Sequence, residues 1–248
     1  MVLNLHLLPR YIVRFGPFAG LMSFIQVEWL KLEEITIKGV RHPVCLRRHT
    51  TDTLVFREVF LFRSYDLSLP QPKVVIDGGA NIGLTSIFLV HKFPAAKIFS
   101  VEPSDGNFKV LVKNTKPYPQ IIPIHSALWN KDATLKIKNE NENQWAYTVE
   151  ECEASNPHAF KATLITSLMN DYNIERIDIL KLDVEGAEKE IFSMDFDFWM
   201  RRTRYILLEL HDWLKPDCSR TVFETLARFH FKTSIFNGML LLQNTDLE

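Results

Sequence analysis

Asp77, Gly78, Gly79, Asn81 and Gly83 stand in one run, Val74-Val75-Ile76-Asp77-Gly78-Gly79-Ala80-Asn81-Ile82-Gly83, whose residue types suit the binding of a charged ligand. The apolar residues before Asp77 read as a buried strand, and the glycines open a turn into an amphipathic helix. At the end of such a strand, backbone N–H groups and a helix start face a ligand at the carboxyl edge of the sheet. A dinucleotide fingerprint needs glycine at its first, third and sixth positions, and counted from Gly78 the third position is Ala80. Asp77 weighs more, because a carboxylate at the strand tip repels a diphosphate and favours a cation. S-adenosylmethionine, with its ammonium and sulfonium, is such a cation. The glycines allow close backbone approach, while Asn81 tolerates an unusual backbone angle or donates a hydrogen bond.

A second acid follows at the right distance. The next strand, Lys97-Ile98-Phe99-Ser100-Val101, ends in Glu102-Pro103, about 20 residues after the glycines and placed to accept hydrogen bonds from ribose hydroxyls. Acid, glycines and second acid also suit a nucleotide (NAD or NADP) oxidoreductase, and Asp77 tilts the choice towards the sulfonium.

The third element is Ile177-Asp178-Ile179-Leu180-Lys181-Leu182-Asp183-Val184-Glu185-Gly186-Ala187-Glu188. With it the chain resembles the FkbM family of S-adenosylmethionine-dependent methyltransferases, through DGGANIG, VEP and LKLDVEGAE in that order, from Asp77 to about Leu242. The resemblance implies an α/β, class I methyltransferase Rossmann-like fold: a seven-stranded, mostly parallel sheet with an antiparallel final hairpin. It also implies O-methylation of a sugar or natural-product hydroxyl. By the same resemblance Ser126 and Ala127 would lie near the adenine, and a segment before the first strand, with Asp52 and Arg57, would close over the cofactor.

Methyl transfer to oxygen needs an in-line approach and a hydroxyl that can lose its proton. Positioning supplies roughly 7–11 kcal/mol in favourable cases, and a general base adds about 10²–10⁴-fold. Asp183 at the tip of strand four and His211 beyond strand five form the expected catalytic pair, with Glu185 as the alternative base. A plainer role for Asp183 and Glu185 is to cap the helix beginning near Gly186. Lys181 and Glu188 would then pair in support of the loop. Carboxylates and an imidazole on neighbouring strands are also the ligand types that hold Mg²⁺ or Mn²⁺. The spacing is only suggestive, and no metal ligands are assigned.

The elements that must position these groups follow in order. Met1 to Leu32 is apolar and aromatic, and Phe15–Val27 reads as an amphipathic helix that packs on the domain or on a second copy; peripheral membrane attachment is the minor alternative. The run is too short to span a bilayer and Arg10, Arg14 and Glu28 bracket it, and no small-residue cleavage site follows it. Ile35–Ile37 and Val44–Leu46 suggest a hairpin, and Thr51-Asp52-Thr53 a cap for a helix with core positions Leu54, Val55, Val59, Phe60 and Phe62. Residues 1–70 thus form an N-terminal helix and hairpin extension, and 71–248 the catalytic domain. Pro123 puts Ile121–His125 at a sheet edge. Thr134–Ile137 and Gln144–Tyr147 read as an inserted hairpin over the carboxyl edge, with Trp145 and Tyr147 stacking on a sugar or packing the insert down. Ala162–Tyr172 and Ser219–Phe229 read as helices, the second capped by Ser219. Asn237-Gly238 is the tight turn of the last hairpin.

Composition narrows the classes. A 248-residue chain with 46% hydrophobic residues can fill one large α/β core. A formal charge of −1 with no basic block disfavours nucleic acid as a partner. Cys45, Cys152 and Cys218 lack zinc or disulfide spacing and suit reduced thiols in the cytoplasm. The expected partners are S-adenosylmethionine and a small-molecule or glycan hydroxyl acceptor, with a homodimer through the N-terminal helix as an option. A catalytically silent, cofactor-binding module that recruits a partner is the remaining alternative.

Overall fold

The computed structural model describes residues 4–138 and 147–247. Its central sheet has seven strands: β1 Val74–Gly78, β2 Lys97–Glu102, β3 Ile121–His125, β4 Ile177–Leu182, β5 Thr203–Leu208, β6 Phe231–Phe236 and β7 Met239–Asn244. They lie in the order β6-β7-β5-β4-β1-β2-β3. The first five are parallel, and β7 is antiparallel to both neighbours. Strand order reverses between β1 and β4, the place where an open α/β sheet forms a crevice at its carboxyl edge. This is the expected class I methyltransferase arrangement, with Pro123 on the edge strand.

Side-chain alternation splits the core into two. Val75, Ile98, Ile179 and Leu207 face one way, and their successors Ile76, Phe99, Leu180 and Leu208 the other, as the period of two demands. The first layer gathers helix Leu84–Lys92 and the N-terminal residues Tyr11, Phe56 and Phe60. The described segment before β1 is therefore packed onto the sheet through a shared apolar core. The second layer gathers Leu168, Phe192, Trp199 and Val222 from the helical segments that follow β3, β4 and β5.

Several elements differ from the sequence expectation. The run Phe15–Val27 is not one helix: Leu8–Phe15 ends at Gly16, and Pro17 opens Pro17–Phe24, followed by a π-turn over Ile25–Trp29. Proline lacks the N–H that a first-turn position leaves unpaired anyway, so it starts the second helix at no cost. The hairpin forms between Glu34–Ile35 and Val44–Cys45. Helix Asp52–Phe56 runs into a π-turn over Arg57–Leu61, without a side-chain cap from Thr51. Val59 and Phe60 are buried there, while Leu54 and Phe62 are exposed.

The insert after β3 is a second sheet. Thr134–Ile137 pairs with Val149–Glu151, later in the chain than the expected partner strand. The turn Asn139–Asn143 and residues Gln144–Ala146, including Trp145, lie outside the described residues. Ala162–Leu164 is strand rather than helix, because Phe160–Leu164 pairs with Ala127–Trp129 on one side and with Thr134 and Leu135 on the other. The helix begins only at Ile165. Ser219 does not cap: Asp217 holds that position, and the Ser219 backbone N–H and hydroxyl donate to Asp212 at 3.1 and 2.9 Å.

Candidate active site

β1 and β4 end side by side, with Leu182 opposite Gly78. Above their tips lies a cavity lined by Gly79, Ala80 and Asn81 of the turn, Glu102 and Pro103 after β2, and Ser126, Ala127 and Leu128 after β3. Lys181 of β4, Asp183, Val184 and Glu185 just after it, and Glu209 and His211 beyond β5 complete the lining. Tyr147 and Val149 of the insert also line it, so the second sheet does reach the carboxyl edge.

Gly79 has no substitute. Its φ is +74°, and a Cβ there would fall 1.8 Å from the carbonyl oxygen of Asp183. The turn does not offer its N–H groups as the sequence suggested. Gly79 and Ala80 both donate to the Val101 carbonyl at 3.0 Å, and Asn81 N–H donates to Glu102 Oε2 at 2.9 Å. The ligand-facing polar groups are instead Glu102, fixed also by Ser104 N–H at 2.9 Å and Asn107 Nδ2 at 3.3 Å, and Asn81 Oδ1, which is buried without a hydrogen-bond partner. Burial pushes the Glu102 pKa up to about 7, against the pull of those hydrogen bonds. An orphaned amide oxygen, a braced carboxylate and a cradle that admits no Cβ fit the ribose and amino-acid ends of S-adenosylmethionine.

Asp77 requires a correction. It is fully buried behind the turn, where its carboxylate accepts from Ser86 Oγ at 2.6 Å and lies 3.3 Å from Lys181 Nζ. It does not line the cavity; it faces Lys181 from beneath. Gly78 and Gly83 likewise support the turn from outside the cavity lining. Asp52 and Arg57 also have other work. Asp52 is bound bidentately by Arg47, and Arg57 binds Glu28, with its Nε 2.7 Å from the carboxylate. The extension reaches the cavity through Val55, Glu58 and Tyr65 instead.

Lys181 is the electrostatic centre. Its ammonium donates to the Gly78 and Gly79 carbonyls at 3.1 and 2.9 Å and lies 3.5 Å from Asp183. Burial would lower its pKa, but the charges of Asp183, Asp77 and Glu58 outweigh that and raise it. The expected Lys181–Glu188 pair does not form, because Glu188 is committed elsewhere.

Asp183, Glu185 and His211 do converge. His211 Nε2 lies 3.7 Å from Asp183 and 3.4 Å from Glu185, and its Nδ1 is 2.8 Å from the buried Glu188. Burial alone would lower the His211 pKa, yet the Glu188 hydrogen bond and the charges of Glu188, Glu185 and Asp183 lift it to about 9. Glu185 rises to about 8 through burial, opposed by His211 and helped by Asp183. Burial, then Asp183, also raises Glu58 and Glu209. Tyr65 Oη donates to Glu58 at 3.1 Å and Asp183 at 3.3 Å. Neither Asp183 nor Glu185 caps a helix; Glu188 Oε1 accepts the Val184 N–H at 3.3 Å.

Asp183, Glu209 and His211 offer ligand atoms within 4.8 Å of one another. No ion is assigned to this set; the Lys181 ammonium, 3.5 Å from Asp183, already places a positive charge beside it.

Sequence reasoning missed Glu58, Tyr65, Glu188, Glu209 and Trp213. Glu188 lay within the quoted LKLDVEGAE, and alternation along β5 was the available signal for Glu209. Asp212, from that same run, turns away to Ser219.

A family model for the methyltransferase FkbM domain matches residues 77–231, more than half of the chain. Methyltransferase 1 of Beauveria bassiana is 25% identical over 171 residues, 58% of this chain and 68% of that protein. Methyltransferase sdnD of Sordaria araneosa is 27% identical over 183 residues, 58% of this chain and 70% of that protein. Among solved structures, the methyltransferase FkbM of Methylobacillus flagellatus aligns with a TM-score of 0.47 at 12% identity. The alignment covers 96% of this chain and spans 58% of the length of that one. By sequence and by the motifs that shape its cavity, this chain belongs to the FkbM methyltransferase family.

Proposed function

We propose that the protein is an S-adenosylmethionine-dependent O-methyltransferase acting on a hydroxyl of a saccharide, or of a glycosylated or natural-product small molecule. The observation that carries this reading is the Glu188–His211–Asp183 relay facing the cavity one strand away from the glycine turn. Gly79, Asn81, Glu102, Pro103, Ser126 and Ala127 would hold the donor, which supplies an electrophilic methyl carbon. Glu188 fixes the imidazole through Nδ1, so that Nε2 points to Asp183 and Glu185. Asp183 orients the acceptor hydroxyl, and Nε2 takes its proton once the ring is neutral. The rate should therefore climb with pH towards about 9. A rate that is flat from pH 6 upwards would make Asp183 the base instead. Three free cysteines suit a reducing, cytoplasmic setting.

The test is calorimetry of the folded protein with S-adenosylmethionine and its demethylated product, followed by turnover on a panel of sugar and polyketide alcohols. Binding with methyl ether formation supports the reading. Absence of binding by either nucleoside ends it, and protection by NAD instead would favour an oxidoreductase.

A further inference from the structure

Helices Leu8–Phe15 and Pro17–Phe24 fold back on each other, so close that a Cβ on Gly20 would fall 2.4 Å from the Tyr11 carbonyl oxygen. Their inner side is anchored. Tyr11, Phe15, Phe24 and Val27 are buried, and Glu28 accepts from Tyr11 Oη at 2.8 Å and from Arg57. The outer side is apolar and bare. Phe18, Met22 and Trp29 are 80%, 40% and 53% exposed, and with Leu21 between them their spacing places them on one helical stripe. Val13 nearby is 87% exposed. Large side chains displayed together in this way mark a contact surface.

The charges say with what. From Asn4 to Leu32, Arg10 and Lys31 reach solvent and Arg14 does so in part, whereas the single acid, Glu28, is buried and paired. We infer that this face docks on an anionic phospholipid bilayer, the helix pair lying in the headgroup plane with Phe18, Met22 and Trp29 at the acyl boundary. Glu33 and Glu34 follow directly and are exposed, but from Asn4 to Arg48 seven Lys or Arg stand against three acids, so a second copy, which would oppose this excess of cations to itself, is the poorer partner. Spanning is not the mode: among the described residues no helix is long and apolar enough to cross a membrane.

The experiment is co-sedimentation of the full chain with phosphatidylcholine vesicles, with and without phosphatidylglycerol. The chain should pellet only with the anionic vesicles, and less so at high salt. Arg10→Gln with Lys31→Gln should weaken binding ~25-fold, about fivefold for each cation removed. Phe18→Glu should weaken it at least about tenfold, and the vesicle-induced blue shift of tryptophan emission should vanish in Trp29→Phe. Circular dichroism checks folding; should Phe18→Glu misfold, the cation pair decides. No binding to anionic vesicles, or binding that neither variant weakens, overturns the inference. So does a dimer by light scattering that Phe18→Glu splits, which would make the face a contact between copies.

Discussion

At the donor end of the cavity, Glu102 receives three hydrogen bonds from fixed donors and the glycine turn spends its own N–H groups internally. At the acceptor end, Glu58, Asp183, Glu185 and Glu209 crowd around one ammonium and one imidazole. The first end is shaped once and left alone; at the second, burial first and then the charge of Asp183 raise the pKa of Glu58, Glu185 and Glu209. Perturbed titrations gather where protons are to be moved. Under the proposed function, recognition rests on a braced carboxylate and an orphaned amide oxygen, and chemistry on a local crowd of carboxylates.

Four changes test that division, from strongest to weakest. Asp183→Asn keeps the donor end intact and should lower kcat by about 10²–10⁴-fold while calorimetry returns a nearly unchanged Kd for S-adenosylmethionine. If both collapse, the two ends are not separable. Gly79→Ala does the opposite: the displaced Asp183 carbonyl and the φ of +74° should cost at least about 1–3 kcal/mol in a denaturant titration and remove donor binding. Glu188→Gln takes away the partner of His211 Nδ1. The imidazole pKa should fall from about 9, and the rising limb of the pH–rate profile should move to lower pH with it. Stability follows the same proton. A histidine raised in the folded state stabilises fully below its ordinary pKa and loses that contribution as pH rises through about 9. The wild type should lose on the order of 1–3 kcal/mol over that window, and Glu188→Gln much less, read by urea titrations across pH. Tyr65→Phe removes only a hydroxyl from Glu58 and Asp183 and should change kcat/KM severalfold, with no effect on donor affinity.

The same contrast explains what could be read from the residues. Donor-side positions are local: Gly79, Asn81, Glu102 and Pro103 sit in two short motifs, and strand alternation fixes which edge they occupy. The convergence of Asp183, Glu185 and His211 on one cavity was legible because each closely follows a recognisable strand. Glu58 and Tyr65 were not, because they enter from a segment that joins the cavity only through tertiary packing. Asp77 was misplaced for a related reason. A carboxylate at a strand tip suggests a ligand, but nothing local announced that Lys181 and Ser86 would reach it first. The insert failed at its boundaries, since Phe160–Leu164 takes its strand form from two partners distant in sequence.

The contact between Gly79 and the backbone of Asp183 welds the glycine turn to the tip of β4. Under the proposed function, neither can slide against the other to admit a bulkier alcohol without distorting the donor site. Diversification of such an enzyme is thereby steered outward, to Tyr147 and Trp213, which line the cavity without sharing that weld.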